Sequence, residues 1–180
     1  FLVSWAVAGA APLERRDRAL ATLAGIVPDL DAAGLLADLV RPVPDDPHYW
    51  YQTYHHVLAH NLAAALMTGI LCFLLARRRW TVAGLAFLLF HVHLLCDLLG
   101  SGGPDGGIWP VHYLYPFVKD LPVSWSGQWA LNAWPNVAIT AVAIALTLYL
   151  GTTRGYTPIE VISPSADREI VKAIRRWTKR

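Results

Sequence analysis

Phe90-His91-Val92-His93-Leu94-Leu95-Cys96-Asp97-Leu98-Leu99-Gly100-Ser101 closes an apolar run that opens at Trp80. At 1.5 Å per helical residue, about twenty such residues cross a bilayer core of about 30 Å. Runs of this kind normally exclude titratable groups. An unpaired charge in a low-dielectric medium costs several kcal/mol or shifts its pKa until it is neutral. Here two histidines and an aspartate fall within about two helical turns. His93 and Asp97 are four residues apart, so a helix sets them on one face. At that spacing an imidazole and a carboxylate either share a divalent metal or form a hydrogen-bonded pair that only ties helices together. His91, two residues from His93, points to the opposite side of a regular helix and reads as a packing histidine.

The composition around this stretch agrees with a membrane setting. Of 180 residues, 55% are hydrophobic and only 16% charged, against about 25% charged in soluble domains. The net charge of +2 is too small to suggest a nucleic-acid partner. Cys72 and Cys96 both lie in apolar runs and read as buried thiols rather than a disulfide framework.

Upstream of Trp80, Arg77-Arg78-Arg79 ends a second apolar run, residues 55–76, opened by His55-His56-Val57-Leu58-Ala59-His60-Asn61. Read as a helix, it sets His56 and His60 on one face. Earlier still, residues 1–12 and 19–27 are short apolar segments around the charged turn Glu14-Arg15-Arg16-Asp17-Arg18. Pro28-Asp29-Leu30-Asp31 then interrupts the second of them. Downstream, residues 100–107 form a glycine-rich loop. Trp109, Trp125, Trp129 and Trp134 are aromatic interface markers, and residues 133–150 are a third spanning candidate. His48 and His112 lie in loops and read as solvated or interfacial. Residues 165–180 read as a basic amphipathic helix on the membrane surface.

The expected fold is therefore all-α. It is an integral membrane helical bundle with about three full spanning helices plus a short N-terminal helical hairpin. Residues 1–154 form the membrane-embedded domain and 155–180 a cytoplasmic basic tail. Positive charge marks the cytoplasmic side. With Arg77 to Arg79 inside, 13 of the 15 Lys and Arg residues fall on that side, leaving Arg41 and Lys119 outside. The expected location is a multi-pass inner-membrane protein with a cytoplasmic C-terminus. This topology brings Asp29 and Asp31, then His55, His56 and His60, then His93 and Asp97, toward the outer face.

Imidazole nitrogens and carboxylate oxygens without thiolates suit a divalent metal, zinc first and manganese or iron as alternatives, as one ion or two. Three or four protein ligands with an open position lower the pKa of water toward neutral. No Gly-x-Ser-x-Gly elbow and no Walker motif occurs.

The ordered set Pro28-Asp29-Leu30-Asp31, His55-x4-His60, His93-x3-Asp97-Leu98-x-Gly100-Ser101 and Trp109-Pro110 resembles the membrane-bound metal-dependent hydrolases, the LexA-regulated group. That group is distantly similar to zinc-dependent phospholipase C. The resemblance covers about residues 1 to 150. It implies a helical membrane hydrolase with Asp29, Asp31, His55, His60, His93 and Asp97 in its motifs. Where the related motif reads His-Arg-Gly, this chain has His55-His56-Val57, so motif spacing favours His55 as ligand and helical geometry favours His56. The group also places a histidine near the N-terminus, and the resemblance implies one within about a helical turn upstream of Phe1.

The leading expectation is a hydrolase acting on a small phosphoester or lipid-derived substrate at the outer face, with Asp29 or Asp105 as base. A metal-ion transporter or sensor, or a structural protein with His–Asp packing pairs, are the alternatives. A transport path would need polar groups through the full depth, and the inner halves of these helices have none.

Overall fold

The computed structural model describes residues 1–103 and 106–178, so Asp105, a candidate base, lies outside the described residues, as do Lys179 and Arg180 of the basic tail. The described residues form eight α-helices and no strands beyond isolated bridges. The helices are α1 (Leu2–Ala10), α2 (Arg15–Ala24), α3 (Gly34–Val40), α4 (Tyr49–Tyr54), α5 (Leu62–Leu75), α6 (Arg79–Gly100), α7 (Trp134–Thr153) and α8 (Pro164–Thr178). Two 3-10 turns, Pro28–Ala33 and Pro158–Val161, complete the set.

Helix α6 is the spine, with α5 on one side and α2 on the other. Helix α1 packs on α2 as the expected hairpin and carries α7 on its far side. The cluster joining α1, α2, α5 and α6 is built largely from small residues: Ala8, Ala21, Ala24, Ala76 and Ala86, with Cys72, Val82 and Leu89. Small side chains let backbones approach closely, which is how helices associate where lipid supplies no hydrophobic drive. The closest approach is at Gly25, where a Cβ would stand 2.1 Å from Ser4 Oγ.

Helices α6 and α7 are long and apolar enough to cross a membrane. The pair Arg15–Ala24 and Pro28–Val40 passes the same test only as a span bent by 62°. The third full span expected over residues 55–76 is shorter. Helix α5 has 14 residues, roughly 21 Å of rise. Asn61 sets its start. The Asn61 carboxamide oxygen accepts from Ala64 N at 2.9 Å, and its amide donates to Val57 and Leu58 carbonyls at 2.9 Å each. This N-cap holds residues 55–61 in turns, with His56 at φ 67°. His56 and His60 are thus not on one helix face.

The end of the molecule away from the histidines is fastened by buried charge. Arg77 and Arg78 backbone N–H groups donate to Asp17 at 2.9 and 2.8 Å, closing the turn between α5 and α6. Arg18 grips Glu160 through two bonds of 2.6 and 2.5 Å. Trp5 Nε1 donates to the same carboxylate at 3.3 Å, and Tyr156 lies 3.6 Å from the Arg18 guanidinium. Residues 156–161, expected in a surface tail, are therefore built into the bundle, and α8 packs on α7 beyond them.

Candidate metal centre

The bend between α2 and α3 decides where the first two carboxylates go. Pro28 opens the 3-10 turn, which buries Asp31 and turns Asp29 outward. The carbonyl of Gly25, freed by the break, accepts from His93 Nδ1 at 2.9 Å. A carbonyl only accepts, so His93 carries its proton on Nδ1 and presents Nε2 as a lone pair.

Asp31 does the same for two more rings. His55 Nδ1 donates to its Oδ1 at 2.7 Å, His60 Nδ1 to its Oδ2 at 2.9 Å, and Ala59 N–H to its Oδ2 at 3.1 Å. Both oxygens are occupied. Asp31, expected among the ligands, instead holds two imidazoles so that each turns Nε2 away from it, the arrangement usual behind metal-binding histidines.

The freed atoms meet. His60 Nε2 lies 3.2 Å from Asp97 Oδ2, His93 Nε2 lies 3.1 Å from the same oxygen, and His93 Nε2 lies 3.3 Å from Asp29 Oδ1. His60 Nε2, His93 Nε2 and Asp97 Oδ2 are buried and make no hydrogen bond to one another or to any other group. Buried polar atoms are nearly always paired, so these three facing atoms are donors open to a cation. Donor atoms about 2.0–2.1 Å from a tetrahedral ion stand about 3.3–3.4 Å apart, close to what is seen here. Asp29, His60 and His93 form one group able to hold a metal ion.

A second group is His55, His56 and His60. The His56 ring stands 4.4 Å from His55 and 4.5 Å from His60, centroid to centroid, and its Nδ1 is buried without a partner. Burial, with His60 alongside, pushes the His56 imidazole down to about 4, so it is neutral as a ligand must be. For His60, burial opposes charge, yet Asp31 and Asp97 outweigh it and draw its pKa upward. A cation at Nε2 answers that same negative field. The choice between His55 and His56 resolves into two environments: His55 is tied to Asp31, and His56 is unpartnered.

Several residues that frame the centre carry no motif. Asp38 accepts from Trp50 and Tyr51 N–H at 2.8 and 3.0 Å and so caps α4, whose Tyr51 stacks on His55 at 4.6 Å. Trp109 walls the far side, 5.4 Å from His55 and 5.1 Å from His56. Gln128 accepts from Trp109 N–H at 2.8 Å and donates to the Asp97 carbonyl at 2.7 Å, linking wall to ligand helix. Among these, Trp109-Pro110 belongs to the ordered motif set and Trp50 and Tyr51 to an aromatic run, whereas Asp38 and Gln128 left no signal in the sequence. His91 faces away, donating to Phe87 O at 2.8 Å and meeting Tyr113 Oη at 2.9 Å. His112, read as solvated or interfacial, lies on a segment clamped over the centre. Its N–H donates to His56 O at 3.1 Å and its Nδ1 is buried.

No protein family, curated protein or solved structure matches the chain.

Proposed function

We propose that this protein is a membrane-embedded metal-dependent hydrolase that cleaves a phosphoester at the outer face of the membrane. Its motif resemblance to the membrane-bound metal-dependent hydrolases implies the metal-dependent hydrolysis, and the phosphoester is our own assignment. The observation that carries the reading is the set of unpartnered Nε2 and Oδ atoms on His60, His93 and Asp97, with Asp29 Oδ1 beside them. The donor chemistry favours zinc. A divalent cation held there supplies Lewis acidity toward a phosphoryl oxygen and a lowered pKa for water.

In this reading His60, His93 and Asp97 hold the ion, and Asp31 orients His60. The Asp29 side chain is 55% exposed, against 20% for Asp97. It stands at the mouth, takes the proton of the attacking water as the new P–O bond forms, and returns it to the departing alkoxide. Trp109 and the clamped segment around His112 exclude bulk water on the far side. His55 and His56 offer a place for a second ion.

Purified protein is expected to hydrolyse bis-p-nitrophenyl phosphate, and a zinc chelator such as 1,10-phenanthroline should abolish turnover until zinc is restored. Absence of turnover in protein with full metal content defeats the proposal. Asp31→Asn is expected to weaken metal affinity about 10–100-fold, the usual effect of losing a carboxylate behind a ligating histidine. Competition against a chromophoric chelator measures this, and an unchanged affinity limits Asp31 to packing.

The distribution of Lys and Arg supports the orientation. A reporter fused after Arg154 should read as cytoplasmic and one inserted near Gly103 as external. The reverse outcome moves the centre to the cytoplasmic face.

A further inference from the structure

Of the apolar grooves along the outside of the bundle, two differ in what lies at their ends. One, about 570 Å³, lies between α1 and α7 and is lined by Val3, Ala6, Val7 and Leu146, with no titratable side chain among the ligand candidates near it. The other, about 810 Å³, follows α5. Its upper end is formed by Val27 and Leu30, which flank Asp29 in the chain, and by Leu58 and Asn61, which flank His60. From there it descends past Ala63 and Met67 to Leu74, roughly 17 Å of helix rise. That is close to the length of an extended lauroyl chain.

Depth matters as much as shape. His93 and Asp97 stand roughly 5–10 Å short of the outer end of α6. With α6 crossing a bilayer core of about 30 Å, the cluster falls near one edge of that core, short of the helix end. The chain segments bordering this end present Leu36, Leu39 and Phe117, all more than 60% exposed, so the approach to Asp29 is apolar. A water-soluble phosphoester has no use for such a border.

We propose that the α5 groove seats the acyl chain of a membrane phospholipid-like substrate whose phosphate reaches the cluster of Asp29, His60, His93 and Asp97. This rests on the hydrolase reading above and names its substrate class. The chain enters laterally from the bilayer, and the small side chain of Ala63 leaves room for it beneath Leu58. The groove between α1 and α7 is lined by no chain neighbour of Asp29 or His60.

The test uses cobalt-loaded protein in phosphatidylcholine nanodiscs, titrated with methylphosphonate and with dodecylphosphonate. Ligation is read from the cobalt d–d absorption, without turnover. Dodecylphosphonate should bind the unaltered protein at least thirtyfold more tightly than methylphosphonate. Ala63→Trp and, separately, the exposed Met67→Trp should each remove at least tenfold of that advantage. Methylphosphonate affinity and cobalt content should stay unchanged, which shows the variants folded. Because partitioning into the nanodisc is common to all three proteins, the comparison isolates the groove. If methylphosphonate binds but the chain-length advantage is the same in both tryptophan variants, the groove assignment is overturned and the hydrolase reading stands. If cobalt is held and neither phosphonate perturbs its spectrum, the phosphoester reading fails and this inference falls with it.

Discussion

His93→Ala is expected to empty the metal centre, lowering the bound ion from about one per chain to below about a tenth, because an incomplete ligand set at a site of this kind loses most of its affinity. The substitution removes the Nε2 that faces both Asp97 and Asp29, and also the Nδ1–H that ties α6 to the Gly25 carbonyl. His60→Ala and Asp97→Ala should behave alike, since each removes one of the three facing orphans. Elemental analysis of purified protein measures the effect, and membrane insertion should be intact in all three. His91→Ala is the control. Its ring is bonded to Phe87 and Tyr113 on the other side of the helix, so metal content should hold. Unchanged metal in all three ligand variants would mean that these pairs only pack helices.

Glu160→Gln is expected to cost about 3–5 kcal/mol of stability, the range for breaking a buried ion pair by removing one partner. The side chains of Arg18 and Glu160 are 7% and 4% exposed, so the guanidinium left behind has no water to turn to. Trp5 Nε1 and Arg18 Nε both donate to Glu160 Oε1 and must then share one neutral carboxamide oxygen, while the Arg15 bond to the residue 160 backbone carbonyl is untouched. The double change Arg18→Met with Glu160→Leu should recover most of the loss, because apolar replacement of a whole buried pair is often near neutral. Denaturant titration in mixed micelles, arranged as a double-mutant cycle, measures both. A single-variant loss below about 1 kcal/mol would place the pair in the class of weak surface bridges.

The two predictions differ in how far the sequence announces them. His93 and Asp97 are legible because both sit on one regular helix, where spacing converts directly into geometry. The same conversion fails at His56 and His60. Asn61 caps α5 so that the five residues between His55 and Asn61 never enter the helical phase, and a cap made by one side-chain amide leaves no periodic trace. The long runs of α6 and α7 were likewise readable, while the third span was overestimated for the same local reason. Asp31 looked equivalent to Asp29 in the sequence. Only the three-residue period of the 3-10 turn separates them, turning one inward to the histidine Nδ1 atoms and the other toward the mouth. Glu160 gave no signal at all, since a lone acid in a short proline-bounded segment shows neither periodicity nor a nearby partner. Its partner is 142 residues away.

That separation has a consequence for biogenesis. A polypeptide emerges from the ribosome N-terminus first, at about 5–20 residues per second, so Glu160 is polymerised roughly 7–30 s after Arg18. Through that interval the Arg18 guanidinium lacks its acid, so the N-terminal hairpin cannot complete its buried ion pair. Helices α5 and α6 face no such delay, being neighbours in the chain and in space. The hairpin and the α5–α6 pair thus mature on different clocks, and the Arg18–Glu160 joint closes only after residue 160 has emerged. A chain released before residue 160 leaves the Arg18 guanidinium without the acid that pairs it in the fold.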